Sequence, residues 1–363
     1  MNLKEGKNSM VLDMAKMLRM LIERNGSDLH IGVNTNAHIR VDEKIVPLDQ
    51  HILSVDDAEK LIYGMINPDE IKRLREAREL DRSFEIEGLS RFRMNVFYQR
   101  GFVGCAIRSI PFKILSFAEC GLPVKIVTDL SRKPKGLVLI TGATGSGKST
   151  TLSSIVDRIN EERACHIITV EDPIEFVHKN KQAIIDQREV GQDTQSFAAA
   201  LKHVLRQDPD VIMVGEMRDL ETIEAALTIA ETGHLVFATL HTSDAVQTIN
   251  RIIDVFPSHQ QQQVRTQLSF VLLGILSQQL IPKVGGSGRI LATEVMIATP
   301  AVRSMIREQK VHQIYSILQT STKEGMRTMN QSIYELYTEK HISYEDAVSR
   351  SMDPDDLIRL FKR

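Results

Sequence analysis

The stretch that decides the fold reads GLVLITGATGSGKST and occupies residues 136–150. Gly142, Gly147, Lys148 and Ser149 match the phosphate-loop pattern G-x-x-x-x-G-K-[ST]. The apolar run before the loop predicts a buried strand, and the residues after it are compatible with a helix. Glycines let backbone N–H groups curl around phosphate oxygens, and the N-terminus of a helix adds a positive dipole. The sequence therefore predicts a phosphate-binding loop between a strand and a helix.

The chemistry of such a loop implies a nucleotide and a divalent cation. We expect Lys148 to bridge the β- and γ-phosphates of ATP, and the Ser149 hydroxyl to ligate Mg²⁺. Neighbouring groups of the loop complete the cradle. The predicted nucleotide-binding residues are Gly142, Thr144, Gly145, Ser146, Gly147, Lys148, Ser149 and Thr150.

Strand-like and helix-like runs alternate after this loop. The apolar runs HIITVE, DVIMVG and LVFATL are separated by the helix-compatible stretches FAAALKHVLRQ and LETIEAALTIAE. Continuous apolar strands between helices are typical of a parallel sheet that is covered on both faces. From about residue 296 the chain reads as helices. We therefore expect an α/β domain over residues 124–363 with a C-terminal helical part.

The earlier part of the chain shows a mixed α+β pattern. An amphipathic stripe with helical spacing begins at Met10 and Val11. An Arg-Gly pair at residues 100–101 separates two strand-like runs, which is typical of a hairpin. We expect an N-terminal domain over residues 1–110 and a linker over residues 111–123, where glycine and proline recur.

Two carboxylates follow apolar strands in the predicted sheet. HIITVE ends in Glu171, and DVIMVG is followed by Glu216. Ligands bind at the carboxyl ends of strands in sheets of this class. A phosphate loop needs an acidic site for Mg²⁺ and for the attacking water. Glu171 and Glu216 are therefore both catalytic candidates.

Two histidines bracket a third apolar strand. His234 precedes LVFATL and His241 follows it. A histidine at such a position is either a structural residue or a sensor of the γ-phosphate, and the residues alone do not choose between the two.

Composition excludes several classes of protein. The chain has 363 residues and a formal net charge of -2, so no excess of positive charge indicates a nucleic-acid partner. The three cysteines form no CxxC pair, which argues against a zinc site and a disulfide framework. The start of the chain is polar, and the most apolar stretch, residues 268–281, is too short to span a bilayer. We expect a cytoplasmic protein, with a peripheral role at a membrane complex left open.

Four motifs in a fixed order resemble those of the secretion-superfamily ATPases. They are GATGSGKST, VEDPIE, DVIMVGEMRD and TGHLVFATLHT, which match that family's Walker A motif, Asp box, Walker B motif and His box. Within the superfamily the chain is most similar to type IV pilus retraction ATPases of the PilT type. Its N-terminal part is short and resembles their PAS-like domain, and it lacks the four-cysteine motif that is usual in assembly ATPases. TPAVRSMIRE, residues 299–308, resembles their AIRNLIRE motif.

The resemblance implies roles that the residues alone do not show. It implies a RecA-like ATPase domain and a hexamer that powers pilus retraction and twitching motility. It makes Glu171 the general base and Glu216 a Mg²⁺ ligand, although the reverse assignment stays open. It also implies that Arg93 and Arg108 of the N-terminal domain contact the nucleotide, and that the His-box residues His234 and His241 take part.

The implied partners belong to the pilus machine. They are five further copies of the chain, an inner-membrane platform protein of the PilC type, and a paralogous retraction ATPase. Two other functions of the same superfamily are alternatives: an accessory PilU-like retraction ATPase, and a type II secretion or pilus assembly ATPase. A regulatory nucleotide-binding scaffold and a RecA-like nucleic-acid translocase are disfavoured by the intact acidic sites and by the near-neutral charge.

Overall fold

The computed structural model describes residues 13–41, 44–110, 114–285 and 288–362. The chain divides into two compact units, Met1–Lys113 and Ile114–Arg363. Both mix helices and strands, so the predicted α/β class is confirmed.

The first unit is built on an antiparallel sheet. Within its described residues the sheet has six strands in the order β3-β2-β1-β6-β5-β4. The elements, in chain order, are α1 (Met14–Glu23), β1 (Asp28–Ile31), β2 (Asn36–Val41), β3 (Lys44–Ile52), α2 (Val55–Tyr63), α3 (Pro68–Ala77), β4 (Glu79–Ile86), β5 (Ser90–Gln99) and β6 (Phe102–Ile110).

Local sequence signals explain where these elements begin and turn. The pattern Ser-x-x-Asp at residues 54–57 forms a full capping box before α2, in which the Ser54 and Asp57 side chains each accept a hydrogen bond from the other residue's backbone N–H. The hairpin between β5 and β6 turns at Arg100 and Gly101, both with positive φ. The amphipathic stripe forms α1, which buries Met14, Met17, Leu18 and Leu21. Met10 and Val11, where the predicted stripe begins, lie outside the described residues.

The second unit is built on a mostly parallel sheet. Its elements, in chain order, are α4 (Val124–Ser131), β7 (Gly136–Thr141), α5 (Lys148–Glu162), β8 (His166–Glu171), β9 (Ile184–Glu189), α6 (Phe197–Val204), β10 (Val211–Val214), α7 (Leu220–Glu231), β11 (Leu235–Leu240), α8 (Ala245–Asp254), α9 (Ser258–Val271), β12 (Leu272–Pro282), β13 (Arg289–Ile297), α10 (Pro300–Arg307), α11 (Ile314–Thr320), α12 (Met329–Thr338), α13 (Tyr344–Arg350) and α14 (Pro354–Phe361).

The order of strands in this sheet sets the position of the phosphate loop. In the described part of the second unit, seven strands run in the order β13-β12-β7-β11-β10-β8-β9. All neighbours pair in parallel except β12 and β13, which form an antiparallel hairpin at one edge. The predicted strands β7, β8, β10 and β11 occupy the centre and are almost wholly buried. Because β7 is a central strand, the loop that follows it lies at the centre of the carboxyl edge of the sheet.

The segment predicted to be a linker packs into the second unit instead. Phe117 and Leu122 are buried in the core beside α4 and α5. The Ser154 hydroxyl of α5 donates to the carbonyl of Leu115 at 2.6 Å. Apolar side chains in an otherwise turn-rich segment explain the difference, because their burial ties the segment to the helix after the phosphate loop. Residues 111–113 lie outside the described part of the chain.

The apolar stretch at residues 268–281 forms the end of α9 and most of β12. Among the described residues, no helix combines the length and the apolar character that a membrane crossing requires.

Candidate active site

The parallel register brings four chain segments to one edge of the second sheet. Thr141, the last residue of β7, pairs with Leu240 of β11, and Val214 of β10 pairs with both Ala238 and Val170. The residues that follow these strands therefore meet. They surround a cavity of about 490 Å³ whose lining includes Thr144, Gly145, Gly147, Lys148, Ser149, Thr150, Glu171, Glu216 and His241.

The loop between β7 and α5 can only be built with glycine at its start. Gly142 has a φ of +141°, and a Cβ there would lie 2.4 Å from the carbonyl oxygen of Gln278 and 2.5 Å from the Ser146 hydroxyl. Gly145 and Gly147 also have positive φ values, of +78° and +92°. The loop is thus held tightly against β12, while Gly145 faces open space. Such a curled backbone suits phosphate oxygens, as the sequence predicts.

Lys148 reaches back over this loop. Its ammonium donates hydrogen bonds to the carbonyls of Gly142 at 2.7 Å and Ala143 at 3.0 Å. Burial lowers the pKa of Lys148, while the charges of Glu216 and Glu175 act in the opposite direction. A half-desolvated ammonium among loop carbonyls is well placed for the strong electrostatic interaction that a phosphate group offers.

Glu171 ends β8 as a buried carboxyl. It is 8% exposed. Its Oε1 accepts hydrogen bonds from the Thr169 hydroxyl at 2.6 Å and from the Gln187 amide at 3.1 Å. Burial raises the pKa of Glu171 to about 7, although these hydrogen bonds act to lower it. A carboxyl with a pKa near neutrality is suited to exchange protons with water.

Glu216 stands in a contrasting environment after β10. Arg218 donates two hydrogen bonds to its two oxygens, at 2.6 and 2.7 Å, and Nε2 of His241 lies 3.1 Å from Oε1. Burial would raise the pKa of Glu216, but Arg218 and His241 hold that pKa below its ordinary value. Glu216 is therefore ionised at neutral pH.

The two histidines lie at opposite ends of β11. His241 is in the cavity, whereas His234 precedes the strand at the far edge of the sheet, roughly 20 Å away for a strand of this length. There Nδ1 of His234 lies 3.1 Å from the carbonyl of Ile229. Within this chain the structure brings His241 to the phosphate loop and does not bring His234 there. The predicted role of His234 stays a prediction.

Arg93 and Arg108 face each other in the first unit. They occupy directly paired positions on β5 and β6, so their side chains lie on the same face of the sheet. Nε of Arg108 donates to Asp28 at 2.9 Å, while Nε of Arg93 lies 3.8 Å from Asp81. Both guanidinium groups remain solvent-accessible, with 71% of the Arg108 side chain and 47% of the Arg93 side chain exposed. They form a compact pair of positive charges.

The predicted metal ligands fit Mg²⁺ by their chemistry. Ser149 and Glu216 both line the cavity and offer a hydroxyl and a carboxylate oxygen. Mg²⁺ prefers few protein oxygens and retains several waters, which suits this pair. Among the described residues no group of three or more His, Cys, Asp or Glu side chains could hold a metal ion. A Mg²⁺ ion here would be bound together with phosphate oxygens.

Reasoning from the sequence missed several residues of this site. Arg218 clamps Glu216, and Thr169 and Gln187 bond Glu171. Arg218 lies two residues beyond Glu216, which was the available signal. No sequence signal indicated Gln187, because it lies on β9, a strand that the sequence analysis did not predict.

The comparisons with known proteins agree with this geometry. Residues 107–348 match the family model described as type II/IV secretion system protein. The chain belongs to this family.

Two curated relatives from Pseudomonas aeruginosa are similar over nearly the whole chain. The type IV pilus retraction ATPase PilT is 46% identical over 95% of this chain and all of its own length. The type IV pilus ATPase PilU is 40% identical over 97% of this chain and 92% of its own length. The resemblance to PilT-type retraction ATPases is thereby confirmed.

A solved structure gives the same result for the fold. The crystal structure of the pilus retraction motor PilT with bound ADP superposes with a TM-score of 0.90 at 49% identity. The match covers 96% of this chain and 99% of that one.

The close approach at Gly142 generates the first prediction. Gly142→Ala should weaken binding of a fluorescent ADP analogue by at least about tenfold, because the added Cβ would displace the loop from β12. Gly233→Ala is the matched control, since Gly233 also has a positive φ, of +113°, but faces open space at the far edge. Equal loss in both variants would show that backbone strain rather than the contact with Gln278 is responsible.

Proposed function

We propose that this chain is an ATP-hydrolysing motor that acts as a hexamer and powers retraction of type IV pili. The observation that carries the proposal is the convergence of Lys148, Ser149, Glu171 and Glu216 on one cavity at the carboxyl edge of the sheet. Similarity to retraction ATPases over nearly the whole chain supports pilus retraction rather than pilus assembly. ATP is the substrate, and Mg²⁺ is the cation that the site would hold.

The chemistry assigned to the cavity is hydrolysis of the terminal phosphate. Backbone N–H groups of residues 143–149 and the Lys148 ammonium bind the β- and γ-phosphates. Mg²⁺, when bound by Ser149 and Glu216, neutralises charge on the phosphate oxygens. Glu171 accepts a proton from water, whose oxygen forms the new bond to γ-phosphorus while the bond to the ADP oxygen breaks.

The contrast between the two carboxylates supports this division of labour. Glu216 carries a charge that Arg218 and His241 stabilise, so it is a poor proton acceptor but a good ligand. Glu171 is buried, and a carboxyl whose charge is desolvated binds a proton more readily. We therefore assign the general base to Glu171 and the cation to Glu216.

The pH dependence of hydrolysis follows from this assignment. Because burial raises the pKa of Glu171 to about 7, the carboxyl is protonated below that pH and cannot accept a proton. We expect kcat to fall as the pH is lowered through about 7. Glu171→Gln should reduce kcat by roughly 10²–10⁴-fold and leave a flat profile. Glu224→Gln, on the exposed surface of α7, is the matched control. An unchanged profile in Glu171→Gln would exclude this residue as the base.

The proposed coupling of hydrolysis to work involves the first unit. We propose that this unit is a PAS-like domain, that the second unit is RecA-like, and that Arg93 and Arg108 sense the γ-phosphate in the assembled ring. Their position side by side on one sheet face supports a joint role, because two guanidinium groups match the charge of one phosphoryl group. His234, far from this chain's own cavity, fits a role towards a neighbouring copy in the ring.

The arginine pair gives a test of that coupling. The double variant Arg93→Ala, Arg108→Ala should lose at least about tenfold in kcat while nucleotide binding by the second unit persists. The matched control is Arg73→Ala, Arg75→Ala, which removes the same charge from the exposed face of α3. Full ATPase activity in the first double variant would contradict the proposed role of the pair.

The proposed site of action is the cytoplasmic face of the inner membrane, where the ring would contact a platform protein of the PilC type. Similarity to PilU supports a second candidate, an accessory ATPase that assists a paralogous motor. The two differ in what the cell loses when the protein is inactive.

A substitution at the chromosomal locus separates these functions. Cells with Lys148→Ala should carry excess pili and lack twitching, because the motor needs the phosphate-binding lysine. Lys135→Ala, an exposed lysine before β7, is the matched control and should leave both unchanged. Cells without pili would indicate an assembly or secretion ATPase instead. Unchanged cells that retain a functional paralogue would favour the accessory role.

A further inference from the structure

Gln187 lies beside the residue assigned as the general base but comes from a different strand. It is on β9, the edge strand of the second sheet, directly paired with Thr169 of β8. Thr169 and Glu171 are two residues apart on β8, so both side chains lie on the face of the sheet that Gln187 also meets. The register alone thus places the amide next to the Glu171 carboxyl.

The backbone fixes which way the Gln187 amide points. Its Oε1 accepts a hydrogen bond from the N–H of His178 at 2.8 Å, and its Nε2 donates to the carbonyl of Phe176 at 2.8 Å. A backbone N–H cannot accept and a backbone carbonyl cannot donate, so the reversed amide would lose both bonds. The orientation of the second N–H of Nε2 is thereby fixed, and this N–H donates a hydrogen bond to Oε1 of Glu171 at 3.1 Å.

Two donors therefore converge on the same oxygen of Glu171. The Thr169 hydroxyl is the other, at 2.6 Å. An oxygen that accepts two hydrogen bonds is a poor place for a proton, because the proton would compete with both donors. A proton taken from water is then directed to the second carboxyl oxygen, Oε2.

We propose that Gln187 is a positioning residue for Glu171: its amide fixes Oε1 and leaves Oε2 as the oxygen that accepts the proton. The inference rests on the proposed role of Glu171 as general base. It adds a residue that is not among those lining the cavity and that acts through the carboxyl.

The charged groups around this carboxyl define what a pH experiment would measure. The backbone N–H of Glu175 acts to lower the pKa of Glu171, and the charge of the Glu175 side chain acts to raise it. His178 does not titrate in the tested range, because burial lowers its pKa to about 4 against the pull of Asp157, with Lys181 acting alongside burial. Burial also raises the pKa of Glu294 to about 7, so a change near pH 7 reports on Glu171 when it is absent from the Glu171→Gln variant.

The decisive variant is Gln187→Glu. It keeps the size of the side chain and the acceptor for the His178 N–H, but it replaces Nε2, which donates to both Glu171 and the carbonyl of Phe176, with an oxygen. We expect the acid limb of the kcat profile to move to higher pH by about one unit or more, with KM for ATP changed by less than about twofold. Gln187→Met removes the donor without adding charge and should give a smaller shift in the same direction. Gln182→Glu, at an exposed glutamine of the preceding segment, is the matched control.

The outcomes distinguish this inference from the function on which it rests. In a Glu171→Gln background, Gln187→Glu should cause no further loss of kcat, because it acts through Glu171. An equal loss at every pH, or an unshifted profile in both Gln187 variants, would overturn the inference and leave the general base intact. Activity retained in Glu171→Gln would instead remove the proposed base itself. Should Gln187→Glu fail to fold, the profile of Gln187→Met decides.

Discussion

The parallel register of the second sheet is the constraint on which the rest of the structure depends. Because β7, β11, β10 and β8 run in one direction and end together, the phosphate loop, His241, Glu216 and Glu171 share one edge although they are distant in sequence. The backbone contact between Gly142 and β12 then fixes the loop against the sheet from the other side. A shift of one residue in any of these pairs would turn its side chains to the opposite face and dissolve the site.

The site separates two chemically identical side chains by their surroundings. Glu171 loses its solvation in the sheet interior, whereas Glu216 keeps a charge that Arg218 and His241 stabilise. The two environments differ because the backbone places the two carboxyl groups at different positions, and not because the groups differ chemically. The proposed division into a proton acceptor and a ligand therefore depends on the fold, and on residues such as Arg218 and Gln187 that hydrogen-bond the two carboxyl groups.

Much of this arrangement was predictable because its signals are local. The phosphate loop, the four central strands, the capping box at Ser54 and the hairpin at Arg100 all depend on short patterns of residue type. β9 and the β12–β13 hairpin were not predictable in the same way. β9, with the sequence IIDQRE, is mostly polar because it is an edge strand, and its Ile184 is 60% exposed. Its pairing with β8 is visible only in three dimensions. The contribution of Gln187 was hidden for this reason, as was the packing of Phe117 against α5.

The paired arginines of the first unit have a consequence for the energetics of that unit. Like charges directly opposite each other on an antiparallel ladder repel, and here each arginine lies near a carboxylate: Arg108 donates to Asp28, and Arg93 lies 3.8 Å from Asp81. An anion bound between the two guanidinium groups would relieve the repulsion that remains. Dissolved salt screens the repulsion between the two arginines over a Debye length of about 8 Å at physiological ionic strength. A multivalent anion would instead neutralise both charges by binding between them. The stability of the β5–β6 hairpin should therefore depend on which anion is bound by both arginines, and not on ionic strength alone.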